Sequence, residues 1–121
     1  MIGGAHVLVY ADDAPAARAF LRDVFGWEHV DDGDGWLIFG LPPAELGVHP
    51  TEGAGRDSGD VDLFLMCADV DATIAELRAK GVDCPPPADR GFGLVTTLTV
   101  PGLGPVGLYQ PKHDSPLGPL A

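Results

Sequence analysis

One pattern occurs twice in this chain, and it restricts the possible folds more than any other feature. A short run of β-branched and aromatic residues, HVLVY, stops at Asp12-Asp13. It leads into DDAPAARAFLRDVFGW, where Ala17, Phe20, Leu21, Val24 and Phe25 recur at steps of three and four before Gly26. The second copy is VDLFLMCADVDATIAELRAKGVD, an apolar run followed by an acidic cap at Asp69 and a helical pattern closed by Gly81. Both read as strand, N-cap, helix and glycine stop, because a carboxylate satisfies the free amides of a first helical turn and glycine takes the left-handed conformation past the last one. Setting Asp12 against Asp69 aligns Ala11 with Ala68 and Phe20 with Leu77, and leaves the first helix about two residues longer.

The segments between and after the two copies supply strands. WEHVDDGDGWLIFGLPPAELGVHP breaks at DGDG and at LPP, which predicts three short strands. After the Gly-rich loop TEGAGRDSGD and the second helix, a short strand is expected near Cys84 and two longer ones at LVTTLTV and PVGLYQP. The order is βαβββ twice, residues 4–50 and 61–110, in an α+β fold whose curved mixed sheets pack together and enclose a cleft. The chain of 121 residues can bury one sizeable core, so a single domain over 1–121 is expected. The end, KHDSPLGPLA, has two prolines and no periodicity, and 112–121 is expected to be a flexible tail.

Charge narrows the partners. A formal net charge of −11 opposes binding to nucleic acid or to an anionic membrane surface, and leaves a neutral or cationic small molecule as the natural ligand. The opening MIGGAHV has no basic segment followed by an apolar core, and no apolar run approaches a bilayer span, so a soluble cytoplasmic protein is expected. Cys67 and Cys84 form no CxxC pair and fit a reducing compartment; Cys67, inside LFLMCAD, reads as a small core hydrophobe. The exposed edges of curved sheets in so small a chain predict a homodimer.

Two βαβββ modules of this length, a histidine opening the first strand in AHVLVYADD, a helix ending in VFGW and a closing GLYQP together resemble the vicinal oxygen chelate superfamily. That superfamily includes glyoxalase I, extradiol dioxygenases, fosfomycin-inactivating enzymes and bleomycin-resistance binding proteins. The resemblance runs from His6 to Pro111. It implies the fold, whereas the activity is open because one scaffold carries both metal enzymes and metal-free binders. Metal-dependent members hold a divalent cation on four inward side chains. Transferred by position, these fall on His6, Gly47, Leu63 and Gly107, and the DPDGN turn common in the family is replaced here by VPGLGP. Three of the four positions lack a donor, so the resemblance implies a protein without a metal cofactor. The alternative is a displaced site of His6, Glu45 and His49, which would take Zn, Fe, Ni or Mn.

Each candidate also has an ordinary role. His6 could be a core-edge histidine bonded to a carbonyl and a water, and His49, before Pro50, could simply be exposed. Glu45 at a strand start is a normal solvated carboxylate, His29 and His113 read as surface residues, and DDGDG reads as a hairpin tip. Tyr109 shares a strand face with Gly107 while Gln110 points the other way, and Phe92 sits on a Gly-flanked loop. The leading expectation is a small-molecule-binding protein of the glyoxalase/bleomycin-resistance type, with ligand contacts from His6, His49, Leu63, Phe92, Gly107 and Tyr109. The alternatives are a metal-dependent lyase, isomerase or dioxygenase in which Glu45 moves a proton, and a non-catalytic interaction module.

Overall fold

The computed structural model describes residue 4 and residues 6–120; Ala5 in the expected first repeat and Ala121 in the expected tail lie outside them. The fold is α+β with few helices and open sheets. Two compact units are present, one made of residues 1–39 with 100–104 and the other of 40–99 with 105–121.

In the first unit, helix α1 (Ala14–Phe20) continues into a single π turn at Leu21–Phe25 and stops at Gly26, whose φ of 67° is left-handed. Its N-cap is Asp13, not the neighbouring Asp12: the Asp13 carboxylate accepts from Ala16 N–H at 3.1 Å. The second helix is capped the same way, Ala72 N–H donating to Asp69 at 3.1 Å, and each such cap contributes about 1 kcal/mol. With Asp13 as the true partner of Asp69, the first helix is longer by one residue rather than two before its glycine. A π turn is the geometry that absorbs one extra residue in a helix.

Strands β1 (His29–Asp31) and β2 (Leu37–Phe39) form an antiparallel hairpin with His29 opposite Phe39. The DGDG turn closes it: Gly33 N–H donates to the Asp31 carboxylate at 2.8 Å, and Trp36 N–H to Gly33 O at 3.0 Å. Two further strands expected here do not form. Residues 6–10 (HVLVY) and the stretch ELGVHP are outside any ladder, and Val7, Leu8, Val9, Tyr10, Leu46 and Val48 are exposed. β-branched residues favour extended backbone, but a strand exists only where a second backbone takes its hydrogen bonds.

The remaining elements run in βαβββ order, β3 (Phe64–Met66), α2 (Val70–Ala79), β4 (Ala88–Asp89), β5 (Gly93–Val100) and β6 (Gly104–Pro111), and all but the end residues Val100 and Gly104 belong to the second unit. The short strand expected near Cys84 lies a few residues later, at β4, and Cys84 itself is buried. The sheet order is β3-β6-β5-β4, with β3 parallel to β6 and β4 antiparallel to β5. Alternation sorts the sheet into two faces. Thr96 and Leu98 of β5 and Val106 and Leu108 of β6 are buried, as are Val70, Ile74 and Leu77 of α2, while Thr97 and Thr99 are exposed. Gln110 points to the α2 side, where its side-chain oxygen accepts from Val70 N–H at 3.0 Å and satisfies a first-turn amide. Among the described residues no helix is long and apolar enough to cross a membrane.

Candidate functional site

The other face of this sheet gathers the aromatic residues. On β6, Gly107 and Tyr109 point to it, and the parallel register sets Phe64 beside Gly107 and Met66 beside Tyr109. Phe64 must shift if Gly107 carries a side chain, because a Cβ there would come within 2.9 Å of three Phe64 ring atoms. Gly93 serves Tyr109 in the same way: a Cβ on it would come within 2.8 Å of the Tyr109 ring and 2.7 Å of Gln110 O. Glycine inside a strand is the usual sign of such a close approach. Phe64 and Phe92 both meet Tyr109 edge to face, with centroids 5.9 and 5.7 Å away and interplanar angles of 89° and 74°. Each such pair contributes about 0.5–1.5 kcal/mol beyond its buried area. Tyr109 is buried at the centre, whereas Phe64 and Phe92 are half exposed beside it.

The hydroxyl end of Tyr109 enters a polar cluster. It donates to Glu45 Oε1 at 3.2 Å and lies 3.1 Å from His113 Nε2, which is 3.5 Å from the same Glu45 oxygen. Ser115 Oγ donates to the other oxygen, Glu45 Oε2, at 2.5 Å, and receives Leu117 N–H at 3.1 Å. Burial, followed by the charge of Glu45 and its hydrogen bond, pushes the Tyr109 phenol above its ordinary range, so the residue stays neutral and a hydrogen-bond donor. The segment after β6 makes hydrogen bonds and an ion pair at its start. Lys112 N–H donates to Phe92 O at 2.8 Å, Lys112 Nζ pairs with Asp89 at 2.5 Å, and Gly118 N–H donates to Ser115 O at 3.0 Å.

The residues singled out from sequence are thus distributed unevenly. Gly107, Tyr109, Phe92 and Glu45 come together. His49 is exposed, with Nδ1 2.6 Å from Pro50 O, and His6 is exposed in the first unit. Leu63 precedes β3 and its carbonyl accepts from Gly107 N–H at 3.2 Å; by alternation its side chain belongs to the opposite face, and Phe64 is the residue paired with Gly107. Phe64, His113 and Ser115 were not anticipated. Phe64 had a usable signal in the glycine at 107 within a strand, whereas His113 and Ser115 sit in an aperiodic segment that carries none.

The donors present do not fit the cation of the chelate enzymes. The volume a ligand at Gly107 would need is filled by the Phe64 ring, and both oxygens of Glu45 accept from protein hydroxyls. Neither thiol is activated either. Burial pushes Cys67 and Cys84 up, away from the thiolate, and Cys67 Sγ lies 3.7 Å from Tyr109 O as a weak donor.

The sequence profile of the Glyoxalase/Bleomycin resistance protein/Dioxygenase superfamily matches residues 4–98. The chain belongs to this superfamily. Solved structures agree on the fold. An antibiotic-binding protein from Streptomyces sp. CB03234 is 23% identical with a TM-score of 0.62, over 93% of this chain and 100% of its own. A lactoylglutathione lyase from Agrobacterium tumefaciens is 21% identical with a TM-score of 0.62, covering 89% of this chain and 92% of its own. A glyoxalase/bleomycin resistance protein from Streptomyces sp. CB03234 is 25% identical with a TM-score of 0.55, over 84% and 95% of the two chains. No curated protein matches the chain. The glyoxalase-superfamily scaffold therefore presents, in this chain, an aromatic surface with a carboxylate at one end.

Proposed function

We propose that this superfamily member binds a small, planar, partly apolar organic molecule on the face formed by Phe64, Phe92 and Tyr109, and does so without a metal cofactor. The observation that carries the reading is the Phe64 ring over Gly107, which puts an aromatic platform where chelate enzymes place a ligand. The fold shared with an antibiotic-binding protein is consistent with it. Half-exposed rings beside a buried one offer apolar area at little entropic cost, because a phenylalanine held edge to face has few rotamers left to lose.

The test is calorimetric titration of planar aromatic antibiotics into wild type and Phe92→Ala, with elemental analysis of protein purified without chelator. Binding should weaken about three- to tenfold in the variant, the value of one lost aromatic contact, and metal should be substoichiometric. A stoichiometric ion lost in His6→Ala would overturn this reading in favour of a metal-dependent lyase, isomerase or dioxygenase using His6, Glu45 and His49.

The same reading includes a homodimer in the cytoplasm. Val7, Leu8, Val9, Tyr10, Leu46 and Val48 are exposed in segments with strand-forming composition, and a second copy would supply the backbone partner they lack within any ladder. Two free cysteines suit a reducing compartment. Light scattering at micromolar concentration is expected to give twice the 12.6 kDa chain mass; the monomer mass would count against it.

A further inference from the structure

The two oxygens of the half-buried Glu45 carboxylate are served from two different parts of the chain. Tyr109 of β6 donates to Oε1, and Ser115 of the C-terminal segment donates to Oε2, with His113 Nε2 next to Oε1 at 3.5 Å. Two donors side by side on one carboxylate are what a planar N–C–N cation provides by itself. We infer that Glu45 is a subsite for an amidinium or guanidinium group, filled in the free protein by the chain's own Ser115 and His113. The inference rests on the binding reading above and assigns a chemical class to the polar end of that ligand.

Three features support it. Tyr109 joins the two parts of the site, its ring between Phe64 and Phe92 and its hydroxyl on Glu45, so an aromatic amidine lying against the rings would bring its fork to the carboxylate. The occupants are displaceable. Ser115 and His113 lie beyond Lys112, which is fixed separately to Asp89 and to Phe92 O, so the segment can lift from Glu45 while its base stays anchored. The His113 side chain is 36% exposed against 20% for Glu45, so water already reaches one of the two groups that must leave. Finally, the formal net charge of −11 favours a cation over a neutral or anionic ligand.

The exchange balances. A fork of two N–H groups replaces the Ser115 hydroxyl on Oε2 and joins Tyr109 on Oε1, while Ser115 and His113 turn to water. The carboxylate keeps every acceptor satisfied, and an exposed hydroxyl and imidazole are solvated in exchange.

Benzamidine and its neutral isostere benzamide are the probes, followed by NMR of the full-length protein. In wild type, millimolar benzamidine should shift Glu45, Tyr109 and Phe92 and abolish exchange protection of Leu117 N–H, which donates to Ser115 Oγ; benzamide should do neither. His113→Ala/Ser115→Ala, with the subsite vacated, should bind benzamidine about tenfold more tightly, and Glu45→Gln should lose binding. Benzamidine that shifts nothing at Glu45, a double variant that binds no more tightly, or undiminished binding to Glu45→Gln would each overturn the inference. Should the double variant not fold, wild type and Glu45→Gln decide alone. A neutral planar aromatic that shifts Phe64 and Phe92 while benzamidine ignores Glu45 sinks only this inference. If no aromatic ligand reaches those rings, the binding reading falls as well.

Discussion

Leu98→Ala is expected to destabilise the protein by about 2–5 kcal/mol in urea unfolding, the range for removing a fully buried leucine. Leu98 is 0% exposed, on a strand that lies between β6 and β4. Truncation removes three carbon atoms from the core, and strands bonded on both sides have little freedom to collapse into the space left behind. Thr97→Ala, one residue away on the exposed face, is the control and should change stability by no more than about 0.5 kcal/mol. Equal effects of the two substitutions would mean that the two faces of β5 are not as assigned.

Gly107→Glu is the second substitution with a large expected effect, and it bears directly on function. Glutamate there supplies a carboxylate at one of the four positions transferred from the metal-dependent members, yet its Cβ comes within 2.9 Å of three Phe64 ring atoms. Phe64 must then leave its edge-to-face contact with Tyr109, and we expect a loss of about 2–3 kcal/mol, typical of overpacking beside a strand. Adding Phe64→Ala should recover most of the loss, because it empties the contested volume; a double-mutant cycle in urea measures this coupling. Elemental analysis of Gly107→Glu is expected to show no stoichiometric metal. A variant as stable as wild type, or one that takes up a stoichiometric ion, would show that Phe64 does not hold the position against a ligand.

Local signals in the sequence were sufficient for the helices and the class of fold. The acidic caps and glycine stops act within one or two turns of the residues that carry them, so α1 and α2 begin and end where those residues stand. Even the one-residue error, Asp12 for Asp13, is a choice between adjacent carboxylates that only the Ala16 N–H resolves. Most strands were legible as short apolar or β-branched runs, the Asp31–Leu37 hairpin and β3 among them, whether their partners lie near or far along the chain. HVLVY and ELGVHP have the composition of strands and lack the ladder.

The site divides along the same line. Tyr109, Gly107 and Phe92 could be named from alternation along β6 and from a glycine-flanked loop, because both are properties of a few consecutive residues. Phe64 in place of Leu63 depended on the register of β3 against β6, segments about forty residues apart, where a slip of one residue exchanges the faces. His113 and Ser115 depended on a loop residue, Glu45, meeting an aperiodic segment far along the chain. Sequence alone determined which residues cap, stop and alternate, since those effects act through the local backbone. Tertiary structure decided which side chain stands over Gly107 and what holds the Glu45 carboxylate, since both arise from contacts between segments that the chain brings together only on folding.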